Sequence, residues 1–316
     1  MNPKVTIAAL LLLAACGGNP LPDPGGGDGD GDGDGGGTGT ITVPESLAVN
    51  VKGAKYDPKS DTLRLTIALD SSRPVLATYE RAENLDVKGY KAYKIQEDPL
   101  DRMFVALAAE SADGKTRAVT VADGGQFGEY YGGGHYERDG NFDPPKPSET
   151  KDGTGLVTYA GRYAGVQNID EPGNPDVLEP LPGTNPAILP GQPRRVQGEI
   201  VLNADFGDNQ VNGAIINRRV VGGGALDIVF LRGTGITEDG TFEGDVSAFD
   251  TDVDQISGSY GGVFGGNNSS SVAGLVHLTA FDDDIDLEQE HGVFVLTQCG
   301  QPGAARAICE QVDPQD

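Results

Sequence analysis

The chain has no tryptophan, two methionines, three cysteines and three histidines in 316 residues, and it sets 23 basic side chains against 48 acidic ones. Each shortage excludes something. A formal charge of −25 repels phosphate backbones, which rules out nucleic acid as a partner. His135, His277 and His291 lie well apart in the sequence, so there is little raw material for a histidine-rich metal site or a Ser-His-Asp triad. No GxSxG, P-loop, HExxH or dinucleotide-binding pattern occurs, and neither an enzyme nor a bound cofactor is expected. The apolar run from Val5 to Ala15 is too short to span a bilayer. What the chain has in quantity is glycine (48) and proline (20), a composition that suits a β-rich protein with a disordered part better than a helical enzyme.

Residues 1–15 read as a secretory signal: one positive charge at Lys4, a short apolar stretch, and small residues directly before Cys16. Leu13-Ala14-Ala15-Cys16 resembles the lipobox of bacterial lipoproteins, which implies cleavage before Cys16 and acylation of that cysteine. Gly17 stands where the rules for such lipoproteins place an inner-membrane retention aspartate, so the resemblance implies an outer-membrane address. With Cys16 given to lipid, Cys299 and Cys309 remain as an even pair in an oxidising compartment, and a disulfide between them is expected. It would tie the tail, 299–316, to the end of the last strand. The spacing does not suit a CxxC redox or zinc site.

Between Cys16 and the first folded residue, Gly17 to Thr40 holds 12 glycines in 24 residues, with Asp28, Asp30, Asp32 and Asp34 alternating with glycine. Such a segment cannot bury enough apolar surface to fold, so 16–40 reads as a lipidated, disordered tether of roughly 27 Å root-mean-square span. The aspartate repeat resembles the start of an EF-hand loop, but Gly39 stands at the twelfth position, where calcium binding needs a bidentate glutamate.

Two folded regions follow, divided by the proline cluster Asp143-Pro144-Pro145-Lys146-Pro147. In 41–150, Leu63, Leu65, Ile67 and Leu69 alternate with polar or small residues as a half-buried strand does. Further strands are predicted over 75–81, 90–96, 103–109 and 117–122, forming a small antiparallel sheet. In 151–298 eight strands of similar length are predicted: 156–166, 196–206, 210–219, 225–232, 241–248, 256–265, 270–280 and 291–298. Shared faces are read from Ile200, Leu202, Ala204 and Phe206; from Leu226, Ile228 and Phe230; from Phe242, Gly244, Val246 and Ala248; and from Gly258, Tyr260, Gly262 and Phe264. Glycines beside large aromatics on one face let a sheet curl shut without overfilling its interior. The fold class expected is therefore all-β: a small antiparallel handle sheet followed by an eight-stranded up-and-down antiparallel β-barrel.

Leu202-Asn203-Ala204-Asp205-Phe206-Gly207 with Val211-Asn212-Gly213-Ala214-Ile215 resembles a hairpin in the barrel lobes of the transferrin-binding protein B family, and is also similar to factor H-binding protein. Gly258-Ser259-Tyr260-Gly261-Gly262-Val263-Phe264-Gly265, Ala273-Gly274 and Gly292-Val293-Phe294 are similar to the glycine-aromatic strands of the same lobes. The resemblance covers about 155–298 and implies an outer-membrane, surface-exposed, non-enzymatic lipoprotein with a handle sheet before its barrel. It implies a protein ligand, or a part in iron or haem acquisition, and export by a surface lipoprotein translocator. The sequence departs from the family at Gly266-Asn267-Asn268-Ser269-Ser270-Ser271, where proline and acidic residues are usual, and in having one handle-barrel unit instead of two.

Three segments are candidate sites. The connection from Gln167 to Arg195, with seven prolines, is far longer than an ordinary strand connection; as a binding loop it would present Val177, Leu178, Leu181, Ile188 and Leu189, and the alternative is a mobile insertion without a role. The run Tyr130-Tyr131-Gly132-Gly133-Gly134-His135-Tyr136 is an aromatic-rich hairpin or, with His135, Tyr131 and Tyr136 as ligands, a haem site. Asp282, Asp283, Asp284, Asp286 and Glu288 read as a solvated loop rather than a metal site, and His277 as a solvent-facing residue. Residues 41–150 carry 14 basic and 18 acidic side chains, and 151–316 carry 8 and 25; the acidic barrel favours a basic partner surface, or else serves solubility or a saline habitat. Two rival functions stay open: a lipocalin-like carrier of a small apolar ligand inside the barrel, and a structural envelope lipoprotein.

Overall fold

The structure, a computed structural model, describes residues 41–69, 73–150, 152–247, 256–279, 281 and 287–312. The signal, Cys16 and the tether lie outside the described residues, as do Asp282, Asp283, Asp284 and Asp286. A one-turn helix, α1 (Glu45–Ala48), precedes seven antiparallel strands in sequential order: β1 (Val51–Asp57), β2 (Thr62–Ile67), β3 (Val75–Arg81), β4 (Lys91–Ile95), β5 (Phe104–Glu110), β6 (Thr116–Asp123) and β7 (Gly132–Arg138). Eight further strands follow: β8 (Leu156–Asp170), β9 (Pro193–Asp205), β10 (Gln210–Val220), β11 (Val229–Gly235), β12 (Thr241–Ser247), β13 (Gly258–Gly265), β14 (Ser271–Thr279) and β15 (Gln289–Thr297). Each pairs with its neighbour and β15 returns to β8, closing an up-and-down barrel.

All eight barrel strands stand where their alternation placed them. The face of β11 is reversed: Val229 and Leu231 point inward while Ile228 and Phe230 are exposed, because apolar residues occupy both phases of that strand and period alone does not choose between them. In the handle, β1 was not expected, whereas β7 falls on the segment read as an aromatic-rich hairpin. Residues 41–44 form no strand, and β7 opens on three consecutive glycines.

Glycine opposite an aromatic ring is the local device that shapes the barrel. A Cβ on Gly262 would meet the ring of Phe242 at 2.8 Å, one on Gly274 the ring of Phe294 at 2.3 Å, and one on Gly292 the hydroxyl of Tyr163 at 2.0 Å. Rings from neighbouring strands lie in the space that side chains would fill. With Tyr159, Phe206, Tyr260 and Phe264 they form one continuous core, and the Phe242, Phe264 and Phe206 rings pack with centroids 5.1–5.2 Å apart.

Outside the barrel, Ala164, Val166, Val263, Ala273, Leu275 and Val293 form a second apolar layer with handle residues that include Val105, Leu107 and Tyr136. Strands β8 and β13–β15 are thus buried on both faces, and handle and barrel share one core. The handle keeps a core of its own on its other face, around Leu63, Leu65, Tyr93 and Phe104. After β15, Cys299 is disulfide-bonded to Cys309 in α2 (Arg306–Val312), and Ile308 and Cys309 pack on Ala160.

Gly274→Ala is expected to cost about 1–3 kcal/mol, because the added methyl also meets the Gly261 carbonyl at 2.2 Å and backbone cannot step aside. Gly53→Ala, where nothing lies within 4 Å, is expected to stay within about 0.5 kcal/mol of the parent. Urea unfolding of both variants checks the contrast.

Candidate functional site

The strand directions give the molecule two unlike ends. At one end the barrel hairpins are tight, and Arg138 of the handle donates to the carbonyls of Asp239 and Phe264, both at 2.9 Å. The other end carries the β8–β9, β10–β11 and β12–β13 connections of the barrel, beside the β2–β3, β4–β5 and β6–β7 turns of the handle. The two parts meet there as well: Gly191 N–H donates to the Gly125 carbonyl at 3.0 Å. Of the twelve large hydrophobic residues that are exposed among the described residues, eleven belong to this end, Leu156 being the exception.

The proline-rich β8–β9 connection is strapped across the handle. Asn84 donates to Asp176 at 2.6 Å, Leu178 N–H to the side-chain oxygen of Gln96 at 2.8 Å, and Gln126 Nε2 to the carbonyls of both Ile188 and Leu100 at 2.8 Å. Inside the strap Gln192, fully buried, accepts from Asp176 N–H and donates to Glu171 and Asp176. Of the five residues read as a binding set, Val177 packs against the shared core, Ile188 and Leu189 are half-buried, and Leu178 and Leu181 project, Leu181 with 82% of its surface exposed. Val75, Leu76, Leu100, Phe127 and Tyr130 extend the apolar rim onto the handle. Sequence reading missed them because each sits in or beside a short turn where periodicity carries no signal.

The three residues considered for haem do not converge. Tyr136 turns into the shared core, whereas His135 and Tyr131 keep to the other side of β7. Tyr131 packs on the inner core of the handle with the Arg102 guanidinium 4.7 Å from its ring centre. The neighbouring glycines, read as flexible, are contact points: added Cβ atoms would strike the His291 ring from Gly132, the Ala48 carbonyl from Gly133 and Leu275 from Gly134. Among the described residues no group of three or more His, Cys, Asp or Glu side chains could hold a metal ion. Glu288, read as part of a solvated loop, is buried.

Nor does His277 face solvent. Its ring stacks on that of His291, centroids 4.6 Å apart and planes within 13°, and its Nδ1 lies 2.9 Å from the Ser46 carbonyl of α1. His291 is buried beside Gly132 of β7, its Nδ1 without a hydrogen-bond partner, while Thr120 of β6 donates to its carbonyl. The pair, 14 residues apart in sequence, meets because β14 and β15 place them directly opposite. Burial, reinforced by the neighbouring His277, pushes His291 well below the ordinary histidine range; burial also lowers His277, against the opposing pull of the Ser46 carbonyl and the Gln289 side chain.

The barrel interior is occupied. Besides its aromatic core it holds a buried charge cluster in which Glu290 accepts from the Tyr163 hydroxyl at 2.6 Å, Gln167 Nε2 at 2.7 Å and Arg218 Nη2 at 2.8 Å. Arg218 also donates to the Asp227 carbonyl at 2.7 Å. Burial works against the charge on Arg218, but Glu290 overrides it and the net shift is upward. Among the described residues these side chains occupy the interior in which a lipocalin-like carrier would hold its ligand. Sequence reading missed the cluster: Glu290 is in phase with the inward Phe294 and Leu296, but Arg218 is out of phase with Val211 and Ile215 and turns inward only because the ladder is irregular at Asn217, whose φ is 53°.

Fold and surface together define a class: a handle-and-barrel protein whose accessible apolar groups are gathered at one end. No protein-family model and no curated protein matches the sequence. Among solved structures the chain is similar to intact transferrin-binding protein B with its N and C lobes (12% identity, TM-score 0.37, covering 78% of this chain and 45% of that one). It is also similar to a double mutant of transferrin-binding protein B from Haemophilus parasuis (12%, TM-score 0.39, 77% and 52%). A structure described as a surface lipoprotein matches at 14% identity and TM-score 0.35, covering 78% of this chain and 97% of that one. The chain thus spans about half the length of the first two. At these values the likeness concerns the fold alone, and the residues at 202–215 and 258–265 resemble the same kind of protein. Among the described residues no helix is long and apolar enough to cross a membrane.

Arg218→Met is expected to destabilise the protein by about 3–5 kcal/mol, since it leaves the buried Glu290 carboxyl without its ion partner; adding Glu290→Gln should recover a large part, as read by urea unfolding. For the histidine pair the sign is set by folded-state pKa values that lie below the unfolded value of about 6.5. Above that pH both states are neutral and the pair adds no pH dependence. Below it the unfolded chain takes up protons that the folded one refuses, so stability falls on acidification, by at most about 1.4 kcal/mol per pH unit for each ring. Unfolding curves at pH 7, 6 and 5 should show this loss, and His291→Leu should flatten it.

Proposed function

We propose that this chain is a non-enzymatic, lipid-anchored outer-membrane lipoprotein that binds a protein partner at the cell surface through the end of the molecule carrying the β8–β9 strap. One observation carries the reading: among the described residues, eleven of the twelve exposed large hydrophobic residues lie at that end, contributed by both handle and barrel. Chance exposure scatters such residues over a surface, whereas gathering them is the mark of an interaction site. Cys16 is the attachment point, and the segment 17–40 holds the folded part away from the membrane. The name transferrin-binding protein B, borne by similar structures, supports a protein ligand; participation in iron or haem acquisition through such a partner belongs to the same reading, as does export by a surface lipoprotein translocator. The net acidity of residues 151–316 favours a basic partner surface.

Protease treatment of intact cells tests display, and the protein is expected to be removed; its survival on cells would overturn the surface assignment. The double variant Leu178→Asp, Leu181→Asp is expected to keep the parent unfolding transition, since both side chains project into solvent, while partner retained on intact cells after crosslinking falls about tenfold or more, the loss of central apolar contacts at an interface. Undiminished retention would remove the strap from the binding surface.

A further inference from the structure

Strand β3 is joined unequally to its neighbours. It pairs with β2 along its length, from Ile67↔Val75 to Leu63↔Tyr79, but with β4 only at Glu80↔Lys94 and Arg81↔Tyr93. Beyond those two pairs β4 continues along β5, through Lys94↔Val105 and Ile95↔Phe104, and leaves the outer edge of Val75 to Tyr79 without a partner strand. The seam widens into a cleft of 620 Å³ at the apolar end of the molecule. Its floor is the inner core of the handle, with Leu65, Ile67, Tyr79 and Phe104, and its lips are Val75 and Leu100.

An open edge of this composition is unusual. Val75-Leu76-Ala77-Thr78-Tyr79 contains no charge, and Val75 and Leu76, on opposite faces of the strand, are 51% and 65% exposed. Natural sheets blunt their edges with lysine, inward charges, bulges or a covering loop, because unpaired N–H and C=O groups template another strand. The charge around the cleft is one-sided. Glu97, Asp98 and Asp101 of the β4–β5 turn line the opposite bank or lie beside it, and among the described residues none of them is in a salt bridge. The nearby cation, Arg102, is already taken up by Asp123 at 2.6 Å and by the carbonyls of Glu129 and Gln126.

We propose that this seam receives an extended segment of a partner protein as an added strand on β3, its alternate side chains apolar and filling the cleft, its flank carrying Lys or Arg against Glu97, Asp98 and Asp101. The proposal rests on the partner-binding reading above and specifies the chemistry of the partner. Main-chain hydrogen bonds to β3 supply affinity and the cleft supplies selectivity for alternate side chains, the strand-addition mode of peptide recognition. A second copy of this chain is disfavoured as occupant, because edge-to-edge pairing of two such seams brings the same carboxylates together. An acyl chain would fill the cleft yet leave the backbone edge and the carboxylates unanswered.

The probe is the blocked peptide acetyl-Lys-Lys-Val-Thr-Val-Thr-Val-amide, titrated into the full folded chain and followed by amide hydrogen exchange. Saturable binding at or below about 1 mM is expected, with exchange slowed at amides within Val75 to Tyr79. The triple variant E97Q/D98N/D101N, whose changes are confined to a solvent-facing turn, should fold normally and bind about fivefold more weakly; raising salt from about 0.1 M to about 1 M should weaken the parent complex likewise. The same peptide N-methylated at alternate residues should not bind. No saturable binding, protection elsewhere on the molecule, equal binding of the N-methylated peptide, or an unaltered affinity in the triple variant would each overturn strand addition at this seam. If the peptide fails while L178D/L181D still strips partner from cells, the seam is wrong and the partner-binding reading stands; the reverse pattern separates the two equally well.

Discussion

Everything in this fold depends on the apolar layer that handle and barrel share. A barrel whose outer wall carries Ala164, Val166, Val263, Ala273, Leu275 and Val293 needs that wall covered, because an apolar strip of this kind would otherwise face water at about 25 cal/mol per Å². The handle needs the same layer for one of its two faces. Small residues on both sides let backbones approach, and the approach is close enough for a handle hydroxyl to enter the barrel ladder. Tyr90 donates to the Arg162 carbonyl of β8 at 2.7 Å and accepts from Val295 N–H of β15 at 3.2 Å, where the β8–β15 ladder no longer pairs residue with residue. A side chain from one sheet thus bridges the closure of the other.

That dependence organises the polar groups as well. Burial disfavours the charged form of the two histidines at the joint, His291 more than His277, and their cost is small while they are neutral. Arg218, inside the barrel, is favoured in its charged form by Glu290 although burial opposes it, and Tyr163 and Gln167 complete the donors to the carboxylate. Burial alone therefore does not decide charge; the partner does. With both cores filled, the exposed apolar side chains of the described residues collect mainly where turns of the handle and connections of the barrel lie side by side.

The fold was legible in the sequence to the extent that its periodicity was clean. Ile200, Leu202, Ala204 and Phe206 alternate without competition and lie on the inner face, and Tyr260, Gly262 and Phe264 announce a curled wall. Where apolar residues fill both phases the reading chose the wrong one, as at Ile228 and Phe230. Where glycine removes the side-chain signal the packing was lost, as at Gly132, Gly133 and Gly134, whose missing Cβ atoms make room for His291, Ala48 and Leu275 rather than for motion.

Composition and order of residues by themselves determined the all-β class, the eight strands of the barrel and the expected bond between Cys299 and Cys309, since each follows from local alternation or spacing. Only the tertiary structure decided which faces touch: that His277 lies on His291, that Tyr136 turns to the barrel and away from His135, that the proline-rich strap lies on the handle, and that β3 and β4 part company. The reason is physical. Alternation fixes what a strand offers on each side, but a strand buried on both sides, or open along one edge, differs from its neighbours only in what the rest of the chain brings against it.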